Sequence, residues 1–502
     1  MSFLPAFGAA DVQRAAIYVA LFPVAYFLLT LTQRIYASFL GPLREVRGPW
    51  MARFTKLWEF FALWRGDFEQ RNLALHRRHG KIVRISPNKY AIDDPDAVRI
   101  IYGHGTKFTK TRFYETFRTP ETSNLFAELN VKEHSAQRRR IGSLYSMTSL
   151  LSYESFIDKC TAILSDKFTD FSRKNKAVEM VEFLQFYAFD IIGAITTGNA
   201  FGLMTAESDL NSIIRAIHVS IVYGSFLGSF LPELHPWITR SSRLLGLSSP
   251  NEPVQSYIQN QIQLRRQGIT PDDKNDFLTR LLRFEDSGQN TPFDTFNSCG
   301  SNIAAGSDTT AITLSAIMYY LLRNPDVLRE LRNELDTKAA AGEINDPITY
   351  TQAQGCTYLQ AVLKEALRLH PIGQPIMRRV PAGGAVIAGT WFPEGAEVGV
   401  NPWVAHRNKD VFGQDAEVFR PERWLEADKE QAGKMEGYFL AFGYGSRSCI
   451  GKHISLLEIS KVIPQLIRKF DFHLVEPERE WETRTAFFCK QKYQCYIEQR
   501  TA

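Results

Sequence analysis

The residues best suited to chemistry lie together near the C-terminal end of the chain. Residues 442–451 read FGYGSRSCIG, so Cys449 stands among glycines and two residues after Arg447. An apolar run with helical periodicity, from Ile454 to Ile463, follows and places the cysteine just before a helix N-terminus. The N–H groups and the dipole of such a helix end stabilise a thiolate. The stretch therefore predicts a metal-bound thiolate beside a flat anionic cofactor. The alternative is a glycine-rich turn with an incidental buried thiol.

A second unusual stretch lies inside the longest predicted helix. A Thr-Pro pair at 291–292 is typical of a helix start, and the helical pattern continues to about residue 323. Its middle reads AAGSDTT, although glycine weakens a helix. Gly306 would let a ligand approach the backbone, and Thr309 could donate to dioxygen with Asp308 behind it in a proton relay. The alternative is a helix kink at which the threonine hydroxyl bonds back to a carbonyl.

Two sets of charged residues have spacings that place them on one face of a helix. His134 and Arg138 are four apart, and such a pair could grip two carboxylates or form a solvated basic face. Glu365 and Arg368 are three apart, and Arg423 in the later stretch FRPERW could complete a buried cluster with them. Such a cluster fixes one geometry, whereas an ordinary surface pair would contribute little.

The composition limits the classes of function that remain. The 502 residues include 35 phenylalanines and 19 tyrosines, enough to bury a large core. A net charge of +5 is mild for this length and argues against nucleic acid as the main partner. The 6 cysteines are scattered without CxxC pairs, which excludes a disulfide framework and a cysteine-rich zinc site.

The N-terminal region predicts a membrane anchor. Residues 15–32 are uncharged and apolar, near the minimum length for a spanning helix, and basic residues follow them. The positive-inside rule then places the rest of the chain in the cytoplasm. We expect an anchor at 1–40, a Pro/Gly hinge at 41–50 and a catalytic domain at 51–502, held at the endoplasmic reticulum membrane by a single pass. The alternative is a buried helix of the body.

Four separated motifs agree in order and spacing with one known family. They are the cysteine loop, AGSDTT at 305–310, the Glu365-x-x-Arg368 pair and FRPER at 419–423. Together they resemble the cytochrome P450 superfamily from about residue 45 onward, and in detail the fungal microsomal enzymes of the pisatin-demethylase-like kind. The resemblance implies a mainly α fold with a small β-rich lobe, preceded by a transmembrane helix.

The resemblance also implies a cofactor, haem b, and assigns residues to it. Cys449 would be the iron ligand, with Phe442 packed near the sulfur and Gly451 closing the loop. Basic residues would hold the haem propionates, although most relatives have tryptophan at the position of His134. These basic residues are His134, Arg138, Arg378 and Arg447.

The implied reaction is the oxidation of a lipophilic small molecule by dioxygen, in fungal secondary metabolism or in detoxification. Electrons would come from NADPH through a separate cytochrome P450 reductase, with cytochrome b5 as a further candidate partner. The reductase would dock on Arg139, Arg140, Lys452 and Lys461; the alternative is that these are ordinary solvated charges. The pocket would draw on segments 108–127 and 200–230 and on Ala304, Ala305, Gln374, Pro375, Ile376, Phe487 and Phe488.

Two other functions are compatible with the same fold. One is an isomerase or dehydratase that does not use dioxygen, which would have no need of an Asp308–Thr309 relay. The other is a haem binder without enzymatic activity. Dependence on NADPH and reductase separates the first from a monooxygenase, and absence of turnover in haem-loaded protein would indicate the second.

Overall fold

A large helical body and a smaller β-rich lobe make up the computed structural model, which describes residues 21, 28–30, 32–270, 275–373 and 376–500. This confirms the predicted fold class for the body. In the first half of the chain the helices are α1 (Leu57–Arg65), α2 (Phe68–His79), α3 (Pro95–Tyr102), α4 (Val131–Ile141), α5 (Met147–Leu151), α6 (Glu154–Arg173), α7 (Met180–Thr197), α8 (Leu203–Ala206), α9 (Ile213–Phe230), α10 (His235–Leu244), α11 (Glu252–Arg266) and α12 (Phe277–Asp286). In the second half they are α13 (Pro292–Arg323), α14 (Pro325–Ala340), α15 (Tyr350–Gln354), α16 (Thr357–Leu369), α17 (Pro402–Ala405), α18 (Lys409–Phe412), α19 (Arg423–Glu426), α20 (Lys429–Tyr438) and α21 (Lys452–Lys469).

The strands form small sheets around this body. They are β1 (Ile82–Ser86), β2 (Lys89–Ile92), β3 (Thr109–Lys110), β4 (Val178–Glu179), β5 (Arg378–Arg379), β6 (Ala385–Ile387), β7 (Thr390–Phe392), β8 (Glu397–Val400), β9 (Phe470–Leu474), β10 (Glu482–Thr485), β11 (Cys489–Lys492) and β12 (Gln494–Gln499). The largest sheet has the order β1-β2-β8-β5-β3. In its last pair, β3 runs antiparallel to β5 with Lys110 opposite Arg378.

The long helix α13 crosses the centre of the body. Thr291 accepts from the N–H of Asp294, and the Asp294 carboxylate accepts from the N–H of Thr291, so a capping box fixes its start. Most residues after Ser307 are buried, and the helix packs on α7, α16 and α21. Thus α13 brings its glycine and threonines into the interior, above the helix that follows the cysteine loop.

The segment predicted as a hinge is attached to the β-rich lobe. Leu43 and Val46 are buried, and the side chain of Arg84 on β1 donates to the carbonyl of Leu43 at 2.6 Å. The N–H of Arg84 donates to the carbonyl of Arg47 at 2.8 Å. Residues 41–50 are therefore non-helical for the most part, as Pro and Gly predict, and they are held against the body.

Most of the predicted anchor, residues 15–32, lies outside the described residues. Among the described helices, α7 and α9 are long and apolar enough to cross a membrane. Of the residues of α7, 83% are buried, which is typical of a core helix, whereas 39% of those of α9 are buried. These two helices alone are weak evidence for a membrane span.

Candidate active site

The cysteine loop is a tight turn that depends on its glycines. Gly443 and Gly445 have φ values of 70° and 65°, in the left-handed region that side chains disfavour. A Cβ on Gly445 would lie 1.9 Å from the carbonyl oxygen of Tyr102, so only glycine fits against the end of α3. The N–H of Cys449 donates to the carbonyl of Phe442 at 2.8 Å and closes the loop. The cysteine is thereby held two residues before Gly451, which precedes α21.

The thiol of Cys449 faces a cavity of about 420 Å³ that Phe442, Arg138 and Tyr145 also line. Cys449 is exposed to this cavity. Desolvation raises the pKa of the thiol, and the N–H of Gly451, the charge of Arg138 and Lys452 oppose that shift. A bound metal cation would favour the thiolate outright.

The predicted propionate ligands come together beside this loop and are joined by Lys110, which the sequence analysis did not include. Burial and the charges of Arg378 and Arg447 lower the pKa of Lys110 well below its usual value. Burial and the charges of Arg447 and Lys110 lower the pKa of His134 to about 3. Burial and the charge of Arg378 lower the pKa of Arg447 to about 10. We call these residues together with Arg138 the cationic cluster. Within it His134 is neutral near pH 7, and the guanidinium groups carry the positive charge.

Each guanidinium of the cationic cluster is oriented by a neutral partner. Arg138 donates to the carbonyl of Ser448 at 2.7 Å, and Arg447 donates to the carbonyl of Glu128 at 2.8 Å. Arg378 donates to the hydroxyl of Tyr114 at 3.3 Å and lies opposite Lys110 across two strands. Like charges opposite one another destabilise a sheet. The cluster therefore fits a ligand that carries more than one negative charge, as the two propionates of haem do.

The middle of α13 carries the residues predicted for oxygen chemistry. The hydroxyl of Thr309 donates to the carbonyl of Ala305 at 2.8 Å, as in the predicted kink. Ala305 is exposed although it lies in the middle of a largely buried helix, so it borders open interior space. A Cβ on Gly306 would lie 2.7 Å from Cδ1 of Ile192. The absent side chain of Gly306 thus makes room for α7, and the approach of a ligand at this glycine stays a prediction.

Asp308 is buried and engages residues on two other elements. Gln185 of α7 donates to one carboxylate oxygen, and the ammonium of Lys490 on β11 lies 2.9 Å from the other. The Lys490 side chain is 28% exposed, so the pair connects the helix to solvent. Asp308 and Thr309 therefore point to different partners, and a proton passing between them needs a side-chain rotation or a water. Neither Gln185 nor Lys490 has a recognisable sequence signal.

The structure brings Glu365, Arg368 and Arg423 together as predicted. Arg368 donates to both carboxylate oxygens of Glu365, at 2.8 and 2.7 Å, and Arg423 donates at 2.9 Å. The indole N–H of Trp424 and the N–H of Arg420 add further donors at 2.9 and 3.0 Å. The Glu365 and Arg368 side chains are 0% exposed, so the cluster is fully buried.

The predicted pocket residues lie in several different environments. Ala304 packs against the main core, whereas Ala305 is exposed to the interior. The carbonyl of Ile376 accepts from the hydroxyl of Tyr102 at 2.6 Å. Phe487 and Phe488 contact each other at the tip between β10 and β11. Gln374 and Pro375 lie outside the described residues.

The predicted docking residues do not form one basic surface. Arg139 and Lys452 are exposed, whereas Arg140 is paired with Asp294 at 3.0 Å. Lys461 is buried, and its ammonium lies 3.1 Å from Glu154 and 3.0 Å from Asp158. The prediction for Lys461 was therefore wrong, because its position on the inner face of α21 makes it a core ion pair.

Comparison with known proteins relates the whole chain to one family. The family description "Cytochrome P450" matches residues 52–495. A pisatin demethylase of Fusarium vanettenii is 43% identical over 97% of this chain and 94% of its own length. A cytochrome P450 monooxygenase of Aspergillus terreus is 35% identical over 90% of this chain and 94% of its own length.

The family implies a haem-thiolate cofactor, and the residues described above fit it. Cys449 presents its sulfur to interior space next to a helix N-terminus. The cationic cluster offers several donors for the propionates at the edge of the same region. The chain belongs to the cytochrome P450 family and is a monooxygenase of the kind found in fungi.

Proposed function

We propose that this monooxygenase oxidises a neutral, lipophilic small molecule in fungal secondary metabolism. Electrons reach it from NADPH through a separate reductase, with cytochrome b5 as a further donor. The observation that carries the proposal is the cationic cluster beside Cys449, because it can hold a dianionic cofactor with the sulfur beneath it. When bound, a thiolate-ligated haem supplies the activation of dioxygen.

The residues of this chain supply binding, orientation and protons. Cys449 would hold the iron and the cationic cluster would hold the propionates, so these residues would orient the cofactor from two sides. The hydroxyl of Thr309, which donates to the carbonyl of Ala305, would have to leave that bond to hand on a proton at the site. Asp308 would separate from Lys490 and pass a proton toward Thr309. Lys490 is partly exposed and exchanges protons with solvent.

The Asp308–Lys490 pair favours oxidation over rearrangement of the substrate. A reaction without dioxygen consumes no protons and needs no buried carboxylate that reaches solvent through a lysine. The same pair argues against a haem binder without activity. Both alternatives predict that NADPH consumption in the presence of reductase is independent of added substrate.

Removal of a methyl group is the second candidate reaction. The relatives at 43% identity carry the name pisatin demethylase. Insertion of oxygen into a C–H bond of a methoxy group gives a hemiacetal, which collapses to formaldehyde and a free hydroxyl group. A substrate with a methoxy group would therefore yield formaldehyde in equal amount to product, and simple hydroxylation would yield none.

We also propose that the body contacts lipid near the N-terminal segment. Trp50, Trp64 and Trp237 are 74%, 63% and 68% exposed. Phe60 on α1 contacts Phe230 at 5.1 Å, which joins the surface of α1 to the end of α9. Exposed tryptophans at such a surface are typical of a membrane interface. An anchor at the endoplasmic reticulum would place this surface on the membrane. Quenching of the tryptophan fluorescence by brominated lipids tests the contact.

The experiment on function compares metabolites of host cells with and without this chain. Loss of the chain should accumulate a compound that is one oxygen poorer than a normal product, or one methyl group richer. Purified protein with reductase, NADPH and ¹⁸O₂ should then convert that compound with incorporation of the label. For demethylation the label is sought in formaldehyde. Conversion without NADPH and dioxygen would refute the monooxygenase reaction.

The matched control uses two cysteines. Cys449→Ser should abolish conversion and the absorbance of the thiolate-ligated CO complex. Cys356→Ser changes a thiol that donates to Gln352 on another part of the body, and it should leave both unchanged. If Cys449→Ser converted the compound at the normal rate, the assignment of Cys449 to the active site would be refuted.

A further inference from the structure

Four phenylalanines from three separate segments form a continuous aromatic layer, which we call the aromatic ceiling. It consists of Phe113, Phe117, Phe126 and Phe487. The rings of Phe113 and Phe487 are stacked at 5.9 Å, and Phe117 lies 5.3 Å from Phe487. Phe126 meets Phe117 edge-on at 5.4 Å and is 43% exposed. Some of the aromatic surface of the ceiling is therefore uncovered.

The ceiling extends between the two functional parts of the site. At one end, the ring of Phe126 lies 5.2 Å from the ammonium of Lys110 in the cationic cluster. At the other end, Phe487 lies just before β11, which carries Lys490 to within 2.9 Å of Asp308. A molecule that lies between the cofactor and α13 would thus lie against these rings.

The height of the ceiling depends on two glycines of α9. A Cβ on Gly224 would lie 2.8 Å from the ring of Phe117. A Cβ on Gly228 would lie 2.8 Å from the ring and from the carbonyl oxygen of Phe113. Both distances are far below van der Waals contact, so α9 and the turn Arg112–Phe117 pack this closely only because these residues have no side chain.

Hydrogen bonds join α9 to two of the segments of the ceiling, the turn and the β10–β11 tip. The hydroxyl of Thr116 donates to the carbonyl of Gly224 at 2.8 Å. The hydroxyl of Ser225 donates to the carbonyl of Ala486 at 2.8 Å, next to Phe487. The turn, α9 and the β10–β11 tip therefore act as one unit, and a change of spacing at either glycine moves the ceiling.

We propose that Gly224 and Gly228 determine substrate thickness by setting the height of the aromatic ceiling, and that the pocket selects flat, neutral, aromatic molecules. This rests on the proposed function and specifies its substrate class. Ring faces and edges favour aromatic over saturated partners of equal size. Among the described residues, the charged groups beside the ceiling already have partners: Lys110 belongs to the cationic cluster, Lys490 pairs with Asp308, and Arg118 lies near the carboxylate of Glu128. A neutral ligand therefore fits this surface best.

The two glycines should respond to substitution in opposite ways. At Gly224 the obstacle is the far end of a flexible side chain, so Gly224→Ala displaces the Phe117 ring away from α9 and lowers the ceiling. At Gly228 the obstacle includes a backbone oxygen, so Gly228→Ala moves α9 off the turn and loosens the ceiling. The thickness selectivity should therefore rise in the first variant and fall in the second.

The test is an optical titration of the haem-loaded full chain with 2-methoxynaphthalene and its saturated counterpart 2-methoxydecalin. The shift of the haem absorbance on binding gives both dissociation constants without turnover. We expect the flat ligand to bind more tightly. The dissociation constant of the saturated ligand divided by that of the flat ligand should rise about tenfold in Gly224→Ala. The added methyl group overpacks the contact with Phe117, and the thicker ligand then binds about tenfold more weakly. The ratio should fall in Gly228→Ala.

A double substitution isolates the contact, and a surface glycine controls for helix effects. In a Phe117→Leu background, Gly224→Ala should leave the ratio unchanged because its obstacle is gone. Gly433→Ala on α20 adds a methyl group that meets nothing within 4 Å and should also leave it unchanged. Three results would each overturn the proposal. They are an unchanged ratio in Gly224→Ala, an equal rise when Gly224→Ala is made in the Phe117→Leu background, and tighter binding of the saturated ligand by the parent chain. Absence of the thiolate-ligated CO spectrum would instead indicate failure of the proposed function.

Discussion

Replacement of Glu365 by glutamine tests whether the buried cluster fixes the scaffold below the cysteine. The carboxylate accepts from Arg368 and Arg423 at 2.7 to 2.9 Å and is 0% exposed. Removing its charge leaves the buried guanidinium of Arg368 without a counter-ion, whereas Arg423 keeps Asp415 at 3.0 Å. Breaking a buried pair in this way costs about 3–5 kcal/mol. With an unfolding entropy near 2.1 cal/mol/K per residue, about 4 kcal/mol lowers the Tm of a body of this size by roughly 4 °C.

The assay is denaturant unfolding of the haem-loaded protein, followed by circular dichroism and by the haem absorbance. Glu476→Gln is the matched control, because Glu476 pairs with Arg479 at 2.9 Å and both side chains are about 60% exposed. Screened surface pairs contribute little, so this variant should unfold like the parent. A free energy of unfolding for Glu365→Gln within about 1 kcal/mol of the parent would refute the reasoning.

The same residue gives the cluster a pH dependence. Burial alone raises the pKa of Glu365, but hydrogen bonds and the charges of Arg368 and Arg423 outweigh burial and lower it below the usual 4.5. The carboxylate therefore contributes stability above about pH 4.5, and this contribution is lost as the pH falls through the lower folded value. Unfolding curves between pH 6 and pH 3 should show a steeper loss for the parent than for Glu365→Gln, and parallel curves would contradict the assignment.

Further predictions concern the site itself. Thr309→Ala should consume NADPH at a normal rate but release peroxide in place of product, because the donor hydroxyl is gone; unchanged coupling would place the relay elsewhere. Lys490→Met should slow product formation about tenfold and raise the solvent isotope effect, since Asp308 loses its connection to solvent; an unchanged isotope effect would contradict this. Lys110→Met should speed haem transfer to an apo-globin about tenfold by removing a propionate donor. Lys107→Met, an exposed neighbour, should not change that rate.

Features encoded within a few residues were predictable. Thr291 and Pro292 predicted the start of α13, and the capping box lies there. The spacing of Glu365 and Arg368 placed both on one helix face, where they form the expected pair. Each of these features depends on local backbone geometry or on side chains one helical turn apart. The local sequence specifies both, whatever the position of the element in the fold.

Partners from distant parts of the chain were not predictable. Lys461 has the sequence context of an exposed lysine, yet α21 turns it toward Glu154 and Asp158 of the α5–α6 region. Gln185 and Lys490 meet Asp308 from α7 and β11. Lys110 enters the cationic cluster because β3 pairs with β5. In each case the packing of separate elements, and not the local sequence, chose the neighbour.

The sequence by itself determined the family and the order of the motifs, and it predicted Cys449 as the ligand, because the glycine turn, the helix start and the charged spacings are local. Tertiary structure alone decided which cations converge, how Asp308 reaches solvent and how close α9 comes to Phe113 and Phe117. The physical reason is that a close contact depends on the relative position of two elements. One methyl group at Gly224 changes that position, although local helix geometry would tolerate alanine there.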